Sequence, residues 1–225
     1  MARARGPATR EAREALGLLF EAYSYPLYVF ARRRGLAPED ARDAVAELFA
    51  QALEKDSLAG ADPLRGRFRA YVLGALENLL ANRRRSWNAL KRGGGRSTIS
   101  LDVDDAERRC AREPAGGTDP RRVYEAAWAR TVIERSFERV RGDYAGRGES
   151  ALYERLRAHL IDDAAPARQA QLALELGKSE DAIKVALHRL RKRFRVALEA
   201  EIAETVESPA AIEDELNHLF EALGR

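Results

Sequence analysis

The 225-residue chain has a single cysteine, Cys110, so no disulfide can form within it and no cysteine cluster can hold a metal. Its three histidines, His159, His188 and His218, are far apart and lack metal-ligand spacing. No apolar run approaches the ~20 residues that a membrane-spanning helix requires, so no membrane insertion is expected. Met1 to Arg10 is basic but has no apolar stretch behind it. A secretory signal is therefore not expected, and the chain is placed in the cytoplasm. Alternating apolar and polar runs, the mark of strands, are missing as well. So is any familiar catalytic arrangement. Gly177-Lys178-Ser179 looks like the end of a P-loop, but the earlier glycine would fall at Leu172 and no strand precedes it. Acidic pairs such as Asp162-Asp163 read as loop or cap residues. The expectation is a protein that is not an enzyme and uses neither metal nor cofactor.

Charge is abundant, and it is unevenly placed. The net charge is +3, yet Glu199 to Arg225 holds eight acidic residues and one basic one, leaving +10 on the first 198. A basic body with an acidic tail suits a polyanionic partner such as nucleic acid. A solvated charged surface would give the same totals, so the clustering of the charges has to decide.

Apolar residues recur at helical spacing almost throughout. The first segment, Thr9 to Arg34, carries Leu16, Phe20, Tyr23, Leu27 and Phe30 on one stripe. Pro26 lies inside it, which predicts a kink or two shorter helices. A second helix over Pro38 to Asp56 buries Ala41, Val45, Leu48, Ala52 and Leu53. A third runs from Pro63 to Arg85. From Lys91 to Asp119 the periodicity stops among Gly93-Gly94-Gly95, Gly116-Gly117 and scattered polar residues, which reads as a linker. Further helices follow at Pro120 to Asp143, Ser150 to Ile161, Pro166 to Leu176, Ser179 to Ala203 and Pro209 to Leu223. The pattern predicts an all-α fold of two small helical bundles joined by a flexible linker. The first bundle spans 9–90, the linker 91–119 and the second bundle 120–203, with an acidic amphipathic extension over 204–225.

The second bundle contains a helix-turn-helix at Leu176-Gly177-Lys178-Ser179. Gly177 suits the left-handed residue that ends one helix, Ser179 caps the next, and Glu180 and Asp181 sit at its positive end. Beyond the turn, Ile183, Leu187, Leu190 and Phe194 share the inward face. Lys184, His188, Arg191 and Arg195 repeat the same spacing one residue on, roughly 100° away. Between Lys184 and Arg195 there are six lysines and arginines, including Arg189 and Lys192, and no acidic residue. Such a strip suits an anionic groove.

The stretch LALELGKSEDAIKVALHRLRKRFR resembles the promoter-binding helix-turn-helix of extracytoplasmic-function sigma factors, a branch of the sigma-70 superfamily. Asp43 to Leu53, DAVAELFAQAL, is similar to the helix by which these proteins grip the polymerase clamp. The resemblance makes Asp43, Glu47 and Phe49 polymerase-binding residues, although Ala46 stands where glutamine is common. FRAYVLGALENLLANRRR resembles the helix that contacts and melts the promoter near its minus-ten element. Asn78, Asn82, Arg83, Arg84 and Arg85 would there meet DNA, with Asn82 in place of a common acidic residue. Tyr71 and Trp87 are expected in or near the core. In the second bundle Ser179, Lys184, His188, Arg189, Arg191, Lys192 and Arg195 would lie at the minus-thirty-five element.

The resemblance implies a sigma factor that directs promoter-specific transcription initiation, with core RNA polymerase and double-stranded promoter DNA as partners and an anti-sigma or other regulatory protein as a further one. Two other readings stay open: a stand-alone helix-turn-helix regulator, and a helical protein–protein adaptor. The acidic extension is expected to fold back on the second bundle, where it would screen the basic helix.

Overall fold

The computed structural model describes residues 10–55, 68–87, 101–113, 119–160, 166–206 and 208–224. Among them every regular element is helical: α1 (Arg10–Arg33), α2 (Pro38–Lys55), α3 (Phe68–Trp87), α4 (Val103–Cys110), α5 (Pro120–Ala145), α6 (Ser150–Arg157), α7 (Pro166–Leu176), α8 (Glu180–Ala203) and α9 (Ala210–Ala222). The all-α expectation holds. No helix among the described residues is long and apolar enough to cross a membrane.

The chain divides into two compact units, and the boundaries differ from those expected. One unit comprises 1–131 together with 203–225, and the other 132–202. The chain therefore passes from the first unit to the second inside α5, and returns at the end of α8, rather than through the glycine-rich stretch.

In the first unit α1 is the central helix. Residues 22–31 are buried on every side, as a helix surrounded by others must be. The helix runs unbroken through Pro26, so the expected division does not occur. Packing around this segment outweighs the roughly 3 kcal/mol that a proline costs inside a helix. Against α1 lie α2, through Ala41, Ala44, Val45, Leu48 and Phe49, and α3, through Val72, Leu76 and Leu80.

Within the expected linker, α4 is a helix that packs on α1 and α2. Asp102 caps it by accepting the Asp105 N–H at 3.0 Å. Asp104 and Asp105 occupy its first turn and Arg108 and Arg109 its last, matching the helix dipole at both ends. Its hold on α1 is polar. Glu107 accepts the Tyr28 hydroxyl at 2.6 Å and Arg32 Nε at 2.7 Å, and the Arg109 guanidinium lies 3.8 Å from the Tyr25 ring centroid. Just beyond it, the buried Glu113 accepts the Tyr25 hydroxyl at 3.2 Å and pairs with Arg130.

The acidic extension is α9, and it belongs to the first unit. The expectation places it on the bundle 120–203, and the part of that bundle it meets, Glu125 and Trp128 of α5, falls in the first unit. Its Glu215 is buried and pairs with Arg69 of α3, equally buried. Arg69 also pairs with Glu125 at 2.9 Å and stacks 4.8 Å from the centroid of the Trp128 ring. His218 Nε2 lies 2.9 Å from the same Glu125 carboxylate. A guanidinium stays charged when buried, so its burial is costly without such counter-charges, and they come from α5 and α9.

In the second unit α5, α6, α7 and α8 enclose a core of Val140, Tyr153, Leu156, Leu172, Ile183, Leu187 and Leu190. The Phe137 and Phe194 rings meet at 4.6 Å. Glu201 is buried and paired with Arg135 at 2.6 Å and Arg139 at 2.8 Å, which ties the end of α8 to α5.

Candidate nucleic-acid interface

The turn between α7 and α8 is closed by backbone bonds. Gly177 adopts φ 61°, and its N–H donates to the Leu174 carbonyl at 3.2 Å while Lys178 N–H donates to Ala173 at 2.9 Å. This crossed pair satisfies the last carbonyls of α7 and needs a residue at ease in the left-handed region. Ser179 then accepts the Ala182 N–H on its hydroxyl at 3.2 Å, which caps α8. Capped and seated by Ile183, Leu187 and Leu190, α8 has a fixed outward face.

That face is cationic. Lys184, His188, Arg189, Lys192 and Arg195 are all exposed. Lys184 Nζ sits 3.5 Å from Asp181 and Arg195 Nε bonds Glu199 at 2.8 Å. Exposed helical pairs of this sort are worth only tenths of a kcal/mol and yield readily to a stronger anion. Arg191 is placed differently from the expectation. It is half-buried, and its Nη2 reaches the His159 carbonyl at 3.5 Å. Arg193, never a candidate, lies 4.9 Å from the centroid of the Tyr144 ring and belongs to the packing.

In the first unit Asn78 and Asn82 are exposed on α3. Arg83 is half-buried and turned toward α2. Its Nε donates to Glu47 at 2.9 Å and its Nη2 to the Asp43 carbonyl at 3.4 Å. Arg84 and Arg85 are carried by α3, and their side chains, like that of Trp87, lie outside the described residues, as does 88–100. Tyr71, expected near the core, is 37% exposed.

Of the docking candidates, Asp43 is exposed beside Arg42 at 2.9 Å, and Glu47 is held by Arg83 and by Gln51 Nε2 at 2.9 Å. Phe49 is not on that face. It is 2% exposed, with its ring edge-on to Phe20 at 5.0 Å, because it follows Val45 by four positions and so shares the inward stripe of α2.

Comparison with protein-family models, with curated proteins and with solved structures finds no match.

Geometry adds residues that the periodicity argument passed over. At 3.6 residues per turn, the direction opposite Ile183, Leu187 and Leu190 falls within about 20° of Val185 and Lys192. Val185 is 48% exposed, and Val196 on the same side is 58% exposed. The spacing itself held this signal. Attention to the run of cations alone placed the centre of the face one residue off. Among the described residues no group of three or more His, Cys, Asp or Glu is arranged to hold a metal. What the α7–α8 pair offers is a rigid helix with cations splayed across its outer half, able to neutralise phosphates on both flanks of a groove wide enough to admit it.

Proposed function

We propose that this chain is a bacterial RNA polymerase sigma factor of the extracytoplasmic-function kind, binding promoter DNA and core polymerase. The observation that carries the DNA-binding part is the outward face of α8. Lys184, Arg189, Lys192 and Arg195 are exposed there beside His188, and from Lys184 to Arg195 the sequence holds no carboxylate. A capped second helix after a tight turn is the geometry by which a helix-turn-helix presents its N-terminal residues to base edges. Lys184, His188, Arg189 and Lys192 are the foremost contacts in this reading. Arg191 recedes to a supporting position.

The polymerase-binding part rests on the resemblance of α2 and α3 to the clamp-gripping and promoter-melting helices. It is supported by the exposed Asp43, and the promoter-contacting part by Asn78 and Asn82, which are exposed and carry amides of the kind that bond base edges. Phe49 takes no direct part. Arg83 links the two surfaces by holding Glu47 beside α3, so it positions the docking carboxylate rather than meeting DNA.

The test is to add the purified chain to core polymerase on genomic DNA and map transcript starts. Starts that depend on the chain and share two sequence elements upstream are expected. Starts no different from those of core polymerase alone would overturn the reading, and DNA binding without core association would leave a stand-alone regulator. If the chain acts as proposed, Lys184→Ala reduces the slope of log affinity against log salt by about one unit. An unchanged slope would remove Lys184 from the interface.

A further inference from the structure

The outward centre of α8 is shared by a cation, Lys192, and an apolar residue, Val185. Val185 is half-exposed beyond the Ser179 cap, with Ala182 exposed three positions before it. Asp181, Lys184, His188 and Arg189 surround the pair, and Lys184 Nζ lies 3.5 Å from Asp181. None of the second unit's core side chains covers Val185, whereas Ile183 and Leu187 on either side of it are buried. An exposed apolar side chain gains nothing from water. In a major groove it meets one apolar feature of the base edges, the 5-methyl group of a pyrimidine. The flanking charges favour that occupant over an apolar protein surface, which would have to desolvate Arg189 and the Lys184–Asp181 pair.

We infer that Val185, with Ala182 beside it, contacts the 5-methyl group of a pyrimidine in the groove that α8 enters, and so sets base preference at one or two positions of the site. The inference rests on the DNA-reading role proposed for α8. It gives the valine a task distinct from that of the cations around it. They supply affinity that is insensitive to sequence and falls with salt, while Val185 supplies a preference that persists when salt rises. Thymine carries this methyl group in ordinary DNA, and 5-methylcytosine presents the same group in modified DNA.

The experiment begins with a duplex enriched from a random-sequence pool by the full-length chain with core polymerase present. If the chain enriches no sequence and retains no DNA at low salt, the DNA-reading role itself fails. With an enriched duplex in hand, each thymine is replaced in turn by deoxyuridine, which removes only the methyl group, and each cytosine by 5-methylcytosine, which adds one. Wild-type chain is expected to lose about fourfold in affinity at one or two thymines, the worth of burying a single methyl-sized group. Val185→Ser is expected to bind thymine and uracil duplexes equally. A gain on methylated cytosine without a loss on uracil would assign the contact to 5-methylcytosine. Two results overturn the methyl contact while leaving DNA binding intact: no effect of either base change on the wild type, or the same uracil penalty in Val185→Ser.

Discussion

Without its carboxylate, position 215 would leave the Arg69 guanidinium buried beneath α9 with a counter-charge missing. Both side chains are almost wholly enclosed, at 5% and 4% exposure. Breaking a buried pair from one side leaves an uncompensated charge and costs about 3–5 kcal/mol. Glu215→Ala is therefore expected to lower stability by about that amount in chemical denaturation, and the exposed Glu213→Ala two positions away by about 0.5 kcal/mol at most. Equal, small losses would mean that the pair contributes nothing. Tyr23, in the same cluster, gives a dependence on pH. Burial pushes its hydroxyl up to about 12 from the usual 10, against smaller opposing effects from Thr205 and Arg69. The unfolded chain releases this proton near pH 10 and the folded chain near pH 12. Across that window the native state holds more protons than the unfolded one. Stability is then fully present below pH 10 and falls as pH rises toward 12. Tyr28 and Tyr124 shift in the same direction, again chiefly through burial. The denaturation midpoint of wild type is expected to drop steeply between pH 10 and 12, and that of Tyr23→Phe less steeply. Parallel curves would show that the buried hydroxyl does not titrate with unfolding.

Two glycines separate backbone geometry from packing at the scale of an element. An added Cβ would meet nothing within 4 Å at either Gly142 or Gly177. Gly142 lies within α5, where alanine removes backbone freedom from the unfolded chain, so Gly142→Ala is expected to stabilise by about 0.5–1 kcal/mol. Gly177 has φ 61° in the turn before α8, and Gly177→Ala is expected to cost about 1–2 kcal/mol. Thermal unfolding of the two variants should move in opposite directions. A shift of the same sign would mean that the turn does not hold its left-handed residue. The same contrast explains what the sequence made legible. Local signals sufficed for the α7–α8 junction, because glycine, serine cap and amphipathic stripe all act within a dozen residues. They failed for α4. Its residues are mostly charged and only Ala106 is buried, so the short stripe of Val103, Ala106 and Cys110 does not stand out from the polar run around it. What holds α4 is Tyr28 and Arg32 on Glu107, contacts 79 and 75 positions apart. Pro26 misled for a related reason, since the packing that keeps α1 continuous comes from other elements. Phe49 and Val185 were legible by periodicity. Resemblance made the first a polymerase-binding residue, and the run of cations around the second masked it.

At the scale of the whole molecule, the first unit is discontinuous in sequence, because α9 returns to it after the second unit has been completed. The second unit has its own core, from Val140 to Ala197, and its charged anchor Glu201 finds its partners Arg135 and Arg139 within the same unit. The first unit, by contrast, relies on the C-terminal helix for the Glu215 partner of Arg69 and for His218, whose ring lies beside Trp128 at 6.1 Å. Deleting 208–225 removes both, along with the apolar side of α9 around Leu219, which is fully buried. The consequence should be confined to one unit. Amide hydrogen exchange of the truncated chain is expected to lose protection in α1, α3 and the first three turns of α5, where Tyr23, Arg69, Tyr124 and Trp128 reside. Protection in α6, α7 and the middle of α8 should match that of the full chain, since local opening follows the cooperative unit that has lost its contacts. If α8 reads DNA as proposed, affinity for a DNA duplex should also persist in the truncated chain, because the core that seats α8 lies within the second unit. Uniform loss of protection along the chain would mean that the two units fold as one, and undiminished protection in α1 and α3 would mean that the buried ion pair is not what closes the first.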